Sequence, residues 1–448
     1  MRKPDLARIV SVHMGLGHLR AASCLKNLSQ KDIIVWGSGS YAAPGEKKYW
    51  RAIRKVYYFL SRVGSYPVVG SLALKIILLI QRIPPFYPKK DLSHPTLAVK
   101  FLKFLIMKAG LCQRLPDYLK DGLPVIHTFY ATAIALDIFS ARENISADNY
   151  LIICDADINR VWVPEKPAES RIKYLVPCTQ AKRRLLSYGV RPENIFITGF
   201  PLPTANIGTE SGFEVLKIDL LARLRRLDPA GKFFAYHSHS VSHLLGFKRL
   251  PEISDSNFTI MFAIGGAGAQ TEIVRRILKS LKTSIKAGRV RLLLSCGVNR
   301  RVLEKTLRYV NQAGLWDHLD LNIHLVFSED IFEYFEKFNR WLRQTDVLWT
   351  KPSELSFFCA LGLPILMAEP IGPQEELNRR WLMEIHAGLT PPGPAEYCAE
   401  WLADLRESGR LAEAAWDGFL KARKLGTYKI RKLIETGEYS EEISPLKQ

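Results

Sequence analysis

Residues 258–282 read FTIMFAIGGAGAQTEIVRRILKSLK. An apolar run ending at Ile264 predicts a buried strand, and QTEIVRRILKSLK predicts the helix that follows. Between them lie Gly265, Gly266, Ala267, Gly268, Ala269 and Gln270. Three glycines and two alanines leave an unobstructed backbone at a helix N-terminus, which suits a diphosphate. Close strand–helix packing is the other use of such small residues. The loop lacks the Lys-Ser/Thr of a P-loop, which argues against ATP hydrolysis.

The same grammar recurs on both sides of this stretch. ARIVSVHMG predicts a strand and GLGHLRAASCLKNL a helix, with Gly15, Gly17 and His18 at their junction. The glycines admit backbone N–H groups to a ligand, and His18 stands where it could bond a substrate or take a proton. Position 20 is Arg, so GxGxxG is incomplete, and DIIVWGS has no closing acid; both argue against NAD. Further strands are PVIH, NYLIICDAD, RIKYLVP, NIFITGFP, RVRLLLSCG, NIHLVF, DVLWTKP and LPILMAEP, each with a helical pattern near it. One set runs from Ile9 to about Pro203 and a second from about Phe258 to Glu369. Strands alternating with helices mean βαβ units and parallel sheet. The chain is therefore expected to be an α/β protein of two Rossmann-like domains with a cleft between them. Residues 1–205 and 206–405 form the two halves, and 406–448 are C-terminal helices expected to pack back on the first. The stretch 204–257 is less patterned, and AYHSHSVSHLLG within it reads as a Ser-rich loop. His237, His239 and His243 lie there without a nearby carboxylate, so no metal site is expected.

Polar clusters follow two of the later strands. Lys351-Pro352-Ser353-Glu354-Leu355-Ser356 comes after DVLWT, and Pro370–Asn378 after PILMA. Strand C-terminal ends are where open α/β sheets bind ligands. Glu354 could accept two ribose hydroxyl bonds, and Gln374, Glu375 and Asn378 could read sugar hydroxyls. Helix capping is the alternative use of Ser353 and Pro373.

The 448 residues carry a net charge of +19, from 63 Lys and Arg against 44 Asp and Glu. Residues 1–110 hold 19 of the bases and only Asp5, Asp32, Glu46 and Asp91 as acids, a local +15. Much of this lies in a basic, aromatic interval, about 41–120, that does not fit strand–helix alternation and reads as an insertion after the second strand. KKYWRAIRKVYYFLSRVG, VVGSLALKIILLI and KFLKFLIMKAG place cations and aromatics at helical spacing. Basic amphipathic helices with aromatic anchors lie in membrane interfaces, so an anionic membrane surface is the expected partner. No RNA- or DNA-binding motif supports nucleic acid. The apolar run Val68–Ile80 is too short to span a bilayer. Seven cysteines without a CxxC pair, and no apolar leader at the N-terminus, read as reduced and cytoplasmic.

Taken in order, these motifs resemble the GT-B glycosyltransferases of the monogalactosyldiacylglycerol synthase, processive diacylglycerol glucosyltransferase and lipid-II-forming N-acetylglucosaminyltransferase type. The resemblance covers most of the chain outside the insertion. It is carried by the GxGH turn, Asp155 with the later Trp162, Tyr174–Pro177, Ile197–Pro201, the GGAGA loop, the Asp346–Pro352 strand end and Pro370–Asn378. It implies an inverting enzyme that moves a sugar from a nucleotide sugar, a UDP-sugar, to a lipid or membrane-linked acceptor, on the cytoplasmic face of a membrane. It implies no cofactor and no metal, since such enzymes stabilise the departing diphosphate with backbone amides and helix dipoles. The donor set would be Gly265, Gly266, Ala267, Gly268, Gln270, Phe327, Ser353, Glu354, Gln374, Glu375 and Asn378. Gly15, Gly17 and Asn159 would serve acceptor or phosphate. The base would be Asp155, Asp157 or His18, with Asp155 at the family's Asp position; Asp155 and His18 lead and are not separated. The chain departs from the family at Ser353-Glu354, where a glycine pair is usual, and at Asn159, where a His is usual. A UDP-sugar epimerase or hydrolase of this fold, and a non-catalytic membrane-associated binding protein, are the alternative functions.

Overall fold

The computed structural model describes residues 6–29, 31–38, 41–52, 82–143, 145–247, 257–265, 270–370, 372–441 and 444–446. Short apolar runs become strands. β1 (Arg8–Val12), β2 (Ile34–Trp36), β3 (Val125–His127), β4 (Asn149–Ile152), β5 (Lys173–Val176) and β6 (Ile195–Ile197) form one sheet in the order β2-β1-β3-β4-β5-β6. β7 (Phe258–Ala263), β8 (Val290–Gly297), β9 (Ile323–Phe327), β10 (Val347–Thr350), β11 (Ile365–Met367) and β12 (Gly388–Leu389) form the other, in the order β12-β11-β10-β7-β8-β9. The strand pairings are parallel, as in Val10 opposite His127 and Ala263 opposite Thr350. Helices cover both faces, so the strands are apolar on both sides: Val10, Val12, Ile260, Met261 and Phe262 have no exposed surface. This is the GT-B architecture of two Rossmann-like domains.

Chain order reverses between β1 and β3 in one sheet and between β7 and β10 in the other. Crevices open at the C-terminal ends of strands at such reversals. A buried polar staple holds the second sheet to the helix Glu214–Leu227. Arg223 donates to the carbonyls of Leu342, Thr345, Leu361 and Gly362, and Arg226 pairs with Asp346 at 2.8 Å. Asp346 also accepts from the Thr259 backbone, so both charges are satisfied.

The expected Ser-rich loop is instead the helix Lys232–Leu245, bounded by left-handed Gly231 and Gly246. Phe233, Val241 and Leu245 bury one stripe at helical spacing, and His237, on the same stripe, stacks on Phe233 at 4.7 Å. The serines that suggested a loop lie off that stripe. Of the insertion, 44–52 is helical, 82–96 is largely irregular, and Leu97–Met107 is a helix. The run 68–80 lies outside the described residues. A buried carboxylate anchors the insertion: Glu46 accepts from Trp36 Nε1, Trp50 Nε1 and the Cys112 backbone at 2.7, 3.0 and 2.8 Å.

At the C-terminus, the helix Arg410–Lys421 presses Gly418 against Cys359, where a Cβ would lie 2.7 Å from the carbonyl oxygen. The chain then returns to the first sheet. Gly426 packs on Phe200, Thr427 donates to the Leu202 carbonyl, and Tyr439 accepts from the Ile197 backbone at 2.8 Å. The seven cysteines are free. Among the described residues, no helix is long and apolar enough to cross a membrane.

Candidate functional site

The C-terminal ends of β1 and β4 meet those of β10 and β11 across the interface of the two halves. After β1, the chain turns at Gly15 (φ 87°) and enters the helix Gly17–Cys24. Gly17 allows this helix to approach the other half: a Cβ there would lie 3.0 Å from Glu354 Oε2. One turn on, Arg20 crosses the interface with 1% of its surface exposed. Its guanidinium lies 4.5 Å from the Phe335 ring and 4.4 Å from Phe338, with Tyr334 and Phe358 further out, and its Nε reaches Glu354 at 3.4 Å. Glu354 opens the 3-10 helix Glu354–Leu361, and Ser353 precedes it without a capping side-chain bond.

Asn378, fully buried in the helix Pro373–Glu384, makes the second crossing. Its Nδ2 donates to Asp155 Oδ1 at 3.0 Å and to the Pro352 carbonyl at 3.1 Å, while its Oδ1 accepts from the Ala156 backbone at 2.7 Å. One side chain thus ties the end of β4 to the end of β10. Beside it, Lys351 Nζ pairs with Glu375 Oε1 at 2.7 Å. Lys351 Cε lies 3.5 Å from the Cβ position of Gly265, which has φ +79° at the end of the β7 segment. Gly266, Ala267 and Gly268 lie outside the described residues.

The charges sort themselves. Glu354 faces Arg20, Glu375 faces Lys351, and Asp155 has the Asn378 amide; among the described residues no Lys or Arg pairs with it. Burial raises the Asp155 pKa to about 6, the Asn378 bond opposes this, and the nearby Glu354, Glu375 and Asp157 charges add to the rise. At pH 7 it is ionised, with the proton affinity that suits a general base. Burial lowers His18 to about 4, with a hydrogen bond to the Thr128 backbone working against it. The ring is neutral, lies edge-on to Phe129 at 5.1 Å, and leaves Nδ1 buried without a partner.

Other expected residues are placed differently. Asp157 is not free to act as a base: Arg184 grips it at 2.7 and 2.9 Å, and it accepts from the Ile158 backbone. It lies two residues beyond Asp155 in the bend after β4, and its side chain is turned into the core. Asn159 is buried, and its Oδ1 accepts from the Val161 backbone at the start of the 3-10 turn Arg160–Trp162. Gln270 bonds the Glu369 carbonyl through Nε2 and leaves Oε1 buried without a partner. Gln374 is half-buried in the first turn of its helix. Phe327 lines a separate groove of about 430 Å³ on the edge strand β9, with His324, Arg340 and Trp341. His239 and His243 are exposed, and no cluster of three metal-ligating side chains occurs among the described residues. Two residues escaped the sequence reading of the site, Arg20 and Lys351. Arg20 registered only as the break in GxGxxG, and Lys351 only as part of a motif. The available signal was a cation directly after a strand or helix start that already held the glycines.

A family model described as a domain of unknown function (DUF6938) matches residues 248–433. The processive diacylglycerol β-glucosyltransferase of Bacillus cereus (strain G9842) is 21% identical over 420 residues, covering 92% of this chain and 89% of that protein. The Bacillus subtilis (strain 168) enzyme of the same name is 21% identical over 281 residues, covering 62% of this chain and 59% of that protein. The resemblance drawn from the motifs is thus matched by weak similarity over most of the chain. Among solved structures, UDP-GlcNAc 2-epimerase from Neisseria meningitidis bound to UDP-GlcNAc aligns at a TM-score of 0.43 and 13% identity, covering 76% of this chain and 83% of that one. A UDP-glucosyltransferase from Polygonum tinctorium aligns at 0.43 and 12%, covering 97% and 99%.

Proposed function

We propose that the protein is an inverting glycosyltransferase that moves a sugar from a UDP-sugar to a lipid or membrane-linked acceptor. The observation that carries this reading is Asp155: a carboxylate with no Lys or Arg paired to it among the described residues, held by Asn378 from the other half, at the C-terminal end of β4. In such a reaction the acceptor hydroxyl loses its proton as it attacks the anomeric carbon, and Asp155 takes that proton. Residues 1–205 hold the acceptor and 206–405 the donor, with Gly265, Glu354, Gln374, Glu375 and Asn378 on the donor side. Residues 406–448 clamp the halves. Neutral His18 contributes a hydrogen bond near the acceptor, and the departing diphosphate meets backbone amides at Gly265 and the helix behind it. The similarity to diacylglycerol glucosyltransferases supports the lipid acceptor.

Attachment to an anionic membrane surface is part of the same reading. The helix Leu97–Met107 buries Val99, Leu102 and Ile106 and exposes Leu97, Phe101 and Phe104 at 84, 60 and 55%, with Lys100 and Lys108 exposed beside them. Three large apolar side chains on one outward stripe among lysines are what an interfacial helix presents to anionic lipid. The test is transfer of labelled sugar from UDP-glucose, UDP-galactose and UDP-N-acetylglucosamine into vesicles containing diacylglycerol. Lipid-soluble product supports the reading. Free sugar alone indicates a hydrolase, an altered UDP-sugar an epimerase, and no turnover with any donor removes the enzymatic reading.

A further inference from the structure

We propose that Lys351 is the cation that receives the diphosphate of the nucleotide donor, and that the phosphate takes the place of Glu375, which pairs with Lys351 in this structure, so that binding exchanges a carboxylate for a phosphate. This rests on the nucleotide-sugar reading above and adds to it a residue and an exchange step. The first argument is position. β7 and β10 are neighbours at the point where strand order reverses, with Ala263 opposite Thr350. The residues just past those ends, Gly265 and Lys351, therefore flank the crevice, and the Lys351 Cε lies 3.5 Å from where a Gly265 Cβ would be. A cation there adjoins Gly265, which carries no side chain and has φ +79°.

The second argument is charge balance. Among the described residues, the site holds three carboxylates, Asp155, Glu354 and Glu375, and two cations, Arg20 and Lys351. A diphosphate adds further negative charge to a mostly buried place and needs a cation released to it. Arg20 is unsuited: it is 1% exposed and stacked against Phe335 and Phe338. Lys351 has a flexible stem and a point charge, with its side chain 17% exposed and that of Glu375 19%. Glu375 lies in the first turn of the helix Pro373–Glu384, whose dipole stabilises its charge when the lysine leaves.

Calorimetric titration of the full chain with UDP and with uridine tests this. Wild-type protein is expected to bind UDP about ten- to a hundredfold more tightly than uridine, the range for a charge-assisted contact. Lys351→Met should erase that preference and leave uridine binding unchanged, and Lys351→Arg should restore much of it. Glu375→Gln should tighten UDP by about three- to tenfold without altering uridine, because it removes the competing anion. A folded Lys351→Met protein that keeps the wild-type UDP-to-uridine ratio overturns the proposal while sparing the nucleotide reading. So does weaker UDP binding by Glu375→Gln. If wild-type protein binds neither compound, the nucleotide reading itself falls, and this proposal with it.

Discussion

At the scale of single residues, Asp155 and His18 are separated by what surrounds them. Both are candidates on sequence grounds, since each follows a strand at a crevice. Burial shifts them in opposite directions, Asp155 up to about 6 and His18 down to about 4. A base works only in its deprotonated form, so a rate that depends on Asp155 falls as pH drops below about 6, whereas His18 stays neutral until about 4. Transfer rates of wild type should therefore show an acid limb near 6, retained in His18→Ala. Asp155→Asn should lower turnover by about 10²–10⁴-fold, the usual contribution of a positioned base. The sign for stability is opposite. The raised proton affinity means that the folded protein gains from protonated Asp155 at low pH and loses that gain as pH rises through about 6. Asp155→Asn should thus melt higher than wild type at pH 8. An inactive variant with a lowered Tm at pH 8 would point to damage and not to a missing base; an acid limb that moves in His18→Ala would reverse the assignment.

At the scale of elements, the helix Leu97–Met107 shows why amphipathic pattern needs a structure to interpret it. Its sequence, LAVKFLKFLIM, is apolar nearly all round. Packing takes Val99, Leu102 and Ile106 inward, and Lys103 is paired with Glu165, which leaves Leu97, Lys100, Phe101, Phe104 and Lys108 outside. Replacing Leu97, Phe101 and Phe104 together by Ser should leave the melting temperature within about 2 °C, because solvent-facing changes are worth at most a few tenths of a kcal/mol each. The same triple variant should lose most of its flotation with anionic vesicles at moderate salt. Equal flotation of variant and wild type would remove this helix from the membrane reading. The helix Lys232–Leu245 makes the complementary point: polar Ser and His suggested a loop, and an inward stripe four residues apart was sufficient for a helix.

At the scale of the whole molecule, the two halves are held together by side chains that cross: Arg20 into the aromatic group of the second half, Asn378 onto the end of β4, and residues 426–439 back onto the first sheet. Arg20 stands out, since removing it leaves Glu354 buried without its cation. Arg20→Ala is expected to cost about 3 kcal/mol or more, as for other broken buried pairs, and to loosen the closed arrangement. A lowered Tm with a larger radius of gyration by small-angle scattering is the expected outcome. Arg20→Lys should recover little, because an ammonium cannot stack flat between Phe335 and Phe338. Unchanged dimensions and melting for Arg20→Ala would show that the closure does not depend on it.

Much of this was legible in the chain. Apolar runs, small-residue turns and helical spacing are local properties, so FTIMFAIGGAGAQ and ARIVSVHMGLGH declared two βαβ halves, and the strand ends pointed to Gly17, Asp155, Glu354 and Asn378 as neighbours of a crevice. The partners of those residues were not legible. Arg20 and Glu354 are 334 positions apart, and Asn378 lies 223 from Asp155. No local rule relates residues at such distances. Which carboxylate is neutralised, which is left to act, that Asp157 is consumed by Arg184, and that Lys351 faces Gly265 all depend on how two sheets are brought end to end. Secondary structure follows from the spacing of neighbours along the chain, whereas proton affinity and charge pairing follow from burial and distance in space, which only the tertiary structure decides.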